Sequence, residues 1–142
     1  MQVLSINPTL SRKVYEDLKE QLHLKGCYNN TWAVATHYLS KMHNEEWLVG
    51  FGFMHVLDKL YTRHAFLIDK ESNQVIDATI CIRDKENDPN LDYYLFAIFT
   101  FDEYSDRIAN QSDMSVNLFR SLQKEEAAVR KEMKKLGLIA HS

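Results

Sequence analysis

From Trp47 to Val56 apolar residues fill both phases of a two-residue period. Trp47, Val49, Phe51 and Phe53 lie on one phase, Leu48, Met54 and Val56 on the other, with Gly50 and Gly52 between them. Side chains of a strand point alternately to opposite faces, so a segment apolar on both needs cover on both. The stretch from Glu46 onward is therefore expected to be a central strand, and it commits the chain to a sheet with other layers against it. The two glycines mark close approach of another element. Before this strand the period is helical. Leu10, Val14, Leu18 and Leu22 form one stripe over about 9–22, with Asn7 or Thr9 as cap and Pro8 in the first turn. Gly26 breaks that pattern. A second helix, about 28–42, carries Tyr28, Trp32, Ala35, Leu39 and Met42 along one face.

After a turn at Asp58-Lys59, two strands are expected at Thr62–Ile68 and 73–82, joined as a hairpin by a turn over Asp69–Ser72. Asp84 to Asn90 is a charged loop. An aromatic-rich strand follows at Tyr93–Phe101, its stripe of Tyr93, Tyr94, Phe96, Phe99 and Phe101 read as core. Asp102 is the expected cap of a short helix to about Asn110. Ser112 or Asp113 opens a last helix to about Leu136, stopped by Gly137. Helices, then antiparallel strands, then helices describe an α+β domain, and the chain suits one domain over 1–142.

Composition narrows the function classes. A formal charge of −3 over 142 residues gives no reason to expect nucleic acid. The basic residues Arg130, Lys131, Lys134 and Lys135 are interleaved with Glu125, Glu126 and Glu132, the pattern of a solvated helix face. The apolar runs are too short to span a bilayer, and Met1 to Pro8 lacks the basic flank and apolar core of a signal peptide. Two cysteines do not make a disulfide framework, which points to a reducing, cytoplasmic compartment. With no CxxC or HExxH spacing and no glycine-rich phosphate loop, neither a metal nor another cofactor is expected.

Chemistry concentrates in three segments: Gly26-Cys27-Tyr28-Asn29-Asn30 at a helix start, Arg63-His64-Ala65-Phe66-Leu67-Ile68-Asp69 in a strand, and Val75-Ile76-Asp77-Ala78-Thr79 in the next. A helix N-terminus offers free N–H groups and partial positive charge, which favour a thiolate. Such a nucleophile needs a base, and the base an orienting group. With the turn at Asp69–Ser72, Ile68 pairs with Asn73 and His64 falls opposite Asp77. Opposed residues share a face with Cβ atoms roughly 5 Å apart, within reach of a carboxylate–imidazole bond. A slip of one residue would separate them.

These segments, in this order and spacing, resemble the papain-like cysteine peptidase superfamily, most closely its transglutaminase-like branch. Trp47-Leu48-Val49-Gly50-Phe51 is similar to the strand that precedes the histidine strand there. The resemblance runs from about Cys27 to Thr79. It implies helices packed on an antiparallel sheet and a Cys-His-Asp triad: Cys27 the nucleophile, His64 the general base and acid, Asp77 the orienter. Gln21, six residues before the cysteine, occupies the position of the peptidases' oxyanion-hole glutamine. Tyr28 stands where the family often has Trp. A backbone N–H near Cys27 can serve an oxyanion regardless of that side chain.

The expected activity is cysteine-dependent acyl transfer on a peptide or protein: hydrolysis as a thiol protease, amidase or deamidase, or transfer to an amine as a transglutaminase. The alternative is an inactive papain-like binding or inhibitor protein that sequesters a partner. In that case the apolar stripe of the last helix (Leu118, Leu122, Val129, Met133, Leu136) serves as a docking or homo-oligomer face. A third reading is a structural subunit of a larger assembly. Asn29 and Asn30 are read as residues of a helix's first turn, and Cys81 as packed in a strand.

Overall fold

The computed structural model describes residues 1–84, 86–87 and 89–139. The first element, β1 (Val3–Ser5), has three residues and no periodicity from which it could have been read. Asn7 then caps helix α1 (Pro8–Leu18), its side chain accepting from the Leu10 N–H at 3.0 Å. The helix stops at Leu18, short of the expected 22. The Gln21 N–H closes a turn on the Leu18 carbonyl at 2.8 Å, and Leu22 is buried from that turn. The second expected helix is two: α2 (Cys27–His37) and α3 (Leu39–His43), separated at Tyr38, whose φ of −106° and ψ of 45° are not helical.

The sheet follows: β2 (Trp47–Leu57), β3 (Leu60–Asp69), β4 (Gln74–Ile76) and β5 (Asp92–Phe99). Its order is β1-β5-β2-β3-β4, antiparallel throughout, with β2 central. Ile6 bridges to Val75, and the Asn7 N–H donates to the Val75 carbonyl at 2.8 Å. The two edges thus meet and the sheet is nearly closed. Both glycines of β2 sit at close approaches. A Cβ on Gly50 would lie 2.4 Å from the Phe66 ring, and one on Gly52 2.2 Å from the Tyr94 carbonyl oxygen. At Gly52 the β2–β5 register shifts by a bulge.

The expected strand 73–82 is overturned after Ile76. Asp77 is the N-cap of a helix, α4 (Ala78–Arg83), and Cys81 is buried in that helix rather than in a strand. The Asp77 N–H is taken by Ser11 Oγ of α1 at 2.9 Å, which draws the chain off the sheet. Of the expected loop from Asp84 to Asn90, Lys85 and Asp88 lie outside the described residues. Helix α5 (Phe101–Ala109) is capped by Thr100, not Asp102. Thr100 Oγ1 accepts from the Glu103 N–H, and the Glu103 carboxylate accepts from the Thr100 N–H.

The last helix, α6 (Gln123–Lys135), begins ten residues later than Asp113. Between α5 and a 3₁₀ turn at Phe119–Ser121, side chains bond the backbone locally: Asp113 to the Ser115 N–H, Ser115 to the Asn117 N–H, Asn117 to the Phe119 N–H. Such bonds compete with helix. Gly137, at φ +72°, ends α6 as expected: its N–H bonds Lys134 and that of Leu138 bonds Met133.

Two packed layers result. Val14, Tyr15 and Leu18 of α1 and Val34 and Ala35 of α2 cover Val49, Phe51, Ala65 and Leu67. The opposite sheet face closes on itself through Leu4, Ile6, Met54, Phe66, Ile68, Val75, Tyr93 and Leu95. Val129 and Met133 of α6 pack on Phe53 and Tyr94, so most of the last helix's stripe is covered by the chain itself; Leu136 is exposed. The fold is α+β. Among the described residues no helix is long and apolar enough to cross a membrane.

Candidate active site

Cys27 is the first residue of α2, one position earlier than the expected helix start. Its N-cap is Gly26, which has no side chain to occupy the first-turn N–H groups, and these have no side-chain cap among the described residues. The approach to Cys27 is held by Asn30. Its Oδ1 accepts from the His23 N–H at 3.0 Å, and its Nδ2 donates to the His23 carbonyl at 2.8 Å and to Thr79 Oγ1 at 3.1 Å. Asn30 therefore ties the loop before the cysteine to α2 and to α4. It lies in the first turn of α2, as expected, and is a buried clamp.

His64 comes from β3, paired directly with Gly52 of β2. Its Nε2 lies 2.8 Å from Asp77 Oδ2. The same oxygen accepts from the Tyr93 hydroxyl at 2.6 Å. His64 and Asp77 are 6% and 2% exposed. The pair forms although the expected register does not. Asn73 adopts φ +55° and belongs to the turn, so Ile68 pairs with Val75, two residues further along than Asn73. A shift of two keeps every side chain on its face. Asp77 then reaches His64 from a helix N-cap rather than from a ladder position.

Charge on the two groups is mutually enforced. Burial works against an imidazolium at His64, but the Asp77 charge and hydrogen bond, with further contributions from Cys27, outweigh it and push the pKa up to about 10. Burial likewise raises Asp77, and His64 and the Tyr93 hydroxyl reverse this, leaving it below the ordinary carboxylate value. Tyr93 is held well above the usual phenol value, by burial first and then by Asp77, and stays a donor. With Nε2 turned to Asp77, Nδ1 is the imidazole nitrogen left for the cavity that His64 and Cys27 both line.

Cys27, Tyr28, His64 and Thr79 border a cavity of about 490 Å³. Its walls are apolar at Leu24, Met54, Val56 and Ile80. Tyr28 packs on Phe51 and Phe119, with its phenol raised by burial. Gln21 is placed elsewhere: it is exposed in the turn after α1 and does not border this cavity. Three of the four expected site residues therefore converge and Gln21 does not. Tyr93 and Ser11 are additions. Tyr93 sits in an aromatic run that reads as core, and nothing in its spacing singles out one hydroxyl. Among the described residues no group of three or more His, Cys, Asp or Glu side chains could hold a metal ion. Comparisons with protein-family models, with curated proteins and with solved structures found no match for this chain.

Proposed function

We propose that this protein is a cysteine-dependent acyl-transfer enzyme of papain-like, transglutaminase-like type, acting as a hydrolase on a peptide or amide bond. The observation that carries the reading is a buried His64–Asp77 pair, Nε2 to Oδ2 at 2.8 Å, bordering the same cavity as Cys27 at the start of α2. Cys27 attacks the carbonyl carbon as thiolate. The new C–S bond displaces the carbonyl electron pair onto oxygen, beside the N–H groups of the first turn of α2. His64, protonated and held by Asp77, gives its proton to the departing nitrogen as the C–N bond breaks. A water molecule, deprotonated by the now neutral His64, attacks the thioester and releases the acid. An amine in place of water gives an amide instead.

Cys27→Ala is the direct test. A mixture of peptides incubated with the wild type is expected to yield cleaved or deamidated products by mass spectrometry. The variant is expected to yield none while melting at an unchanged temperature. Full activity in the variant rejects the mechanism. The 8% exposure of Cys27 favours a second reading, a binding protein that keeps the arrangement without turnover. Iodoacetamide separates the two. A reactive site takes the label at Cys27 well before Cys81, whereas equal slow labelling supports the binding protein.

A further inference from the structure

The cavity before Cys27 differs in charge from the rest of the chain. The chain carries a formal −3, yet Lys25, Arg63 and Arg83 border the cavity and no carboxylate does among the described residues. Arg63 is fixed: Nε and Nη2 donate to Glu126 Oε1 and Oε2 at 2.7 and 2.9 Å. Lys25 and Arg83 are exposed and form no ion pair among the described residues. Lys25 is set at the rim by the loop itself, at φ +63° two residues before the cysteine. Between the cations the rim is apolar, with Leu24 and Leu60 left 54% and 56% exposed. Beyond Arg63 a second hollow of about 310 Å³ continues past Phe119, Arg120 and Gln123, again without a bordering carboxylate among the described residues. Arg120 there is paired with Asp113 at 2.9 Å.

We propose that the site takes acidic peptides: a segment with an aspartyl or glutamyl side chain close to the attacked carbonyl, flanked by an apolar residue. The acid faces Lys25 and Arg83, and the apolar neighbour lies on Leu24, Met54 and Ile80. Two cations with no ion pair among the described residues, over a low-dielectric wall, raise the local concentration of an anionic segment and repel a basic one. The inference deepens the reading of Cys27 as nucleophile and rests on it.

The test compares two peptidyl chloromethyl ketones, acetyl-Leu-Glu-Leu and acetyl-Leu-Lys-Leu. The sulfur displaces chloride from each, and the product is read by intact mass. Each rate is divided by the iodoacetamide rate at Cys27 of the same protein. The glutamyl probe is expected to label about tenfold faster at low ionic strength, with the ratio shrinking as salt is added. In the Lys25→Glu, Arg83→Glu double variant the preference reverses. Equal rates for the two probes, with iodoacetamide still taking Cys27 before Cys81, overturn the acidic-peptide inference and leave the nucleophile standing. If iodoacetamide does not prefer Cys27, the underlying reading falls and this inference with it.

Discussion

At the scale of residues, the site depends on how many groups share one carboxylate oxygen. Asp77 Oδ2 receives both the His64 Nε2 and the Tyr93 hydroxyl, the latter at 2.6 Å. A buried carboxylate keeps its charge only if such donors replace water. Tyr93 touches neither the sulfur nor a bound carbonyl on this geometry; it is a positioning residue acting through Asp77. Tyr93→Phe removes one charged hydrogen bond, about 1.5 kcal/mol and so roughly tenfold in kcat. KM should change little, and the acid limb of the pH–rate profile should move upward as Asp77 loses a stabilising donor. An equal loss in kcat and KM with an unmoved profile would instead indicate a general packing defect. Asn30 acts similarly on the cysteine side, with three hydrogen bonds that join His23 and Thr79 around the start of α2.

At the scale of elements, β2 is the frame on which the histidine is mounted. Gly52 pairs with His64 across β3 and with Leu95 across β5, at the bulge. The backbone of β5 approaches so closely that a methyl group at Gly52 would meet the Tyr94 carbonyl oxygen at 2.2 Å and the Leu95 Cα at 3.0 Å. Backbone cannot swing aside as a side-chain tip can. Gly52→Ala is therefore expected to destabilise the fold by about 3 kcal/mol, measured by urea denaturation. It should also lower Cys27 labelling, because His64 shifts with its strand. Helix α6 is tied to the same strand from outside, through Glu126 and Arg63. That tie holds one cation of the cavity rim in a set direction.

At the scale of the whole molecule, the buried pair links stability to pH. His64 is raised in the folded state to about 10, against about 6.5 for an imidazole in the unfolded chain. Its contribution is fully present below pH 6.5 or so and is lost as pH rises through about 10, because only the unfolded chain releases the proton in that window. Asp77 is lowered, so its contribution is present above its ordinary value and is lost as pH falls through the folded one. Urea midpoints should thus hold on the acid side of neutrality, decline toward pH 10 and decline again in strong acid. In Asp77→Asn the alkaline decline should flatten, since the largest causes that raise His64 are then gone. An unchanged alkaline slope in that variant would place the titration on other groups.

The local periods of the chain determined its central strand and which faces are buried there. Trp47–Val56 is apolar in both phases, and β2 lies in the middle of the sheet, because alternating side chains dictate burial without reference to distant contacts. The same two-residue parity put His64 and Asp77 within reach even though the turn absorbed Asn73 and moved the register. Tertiary structure decided what local pattern could not. Ala78 to Ile82 is β-prone by composition, but Ser11 Oγ captures the Asp77 N–H and Asn30 holds Thr79, so the segment becomes α4. Gln21 stands at a suggestive spacing from Cys27, but α1 ends before it and leaves it exposed outside the cavity. Tyr93 is one aromatic residue in a run of several, and only closure of the sheet brings its hydroxyl to Asp77. For α4 and Tyr93 the deciding partner is a hydrogen-bonding group far away in sequence, and periodicity carries no information about which distant donor meets which acceptor.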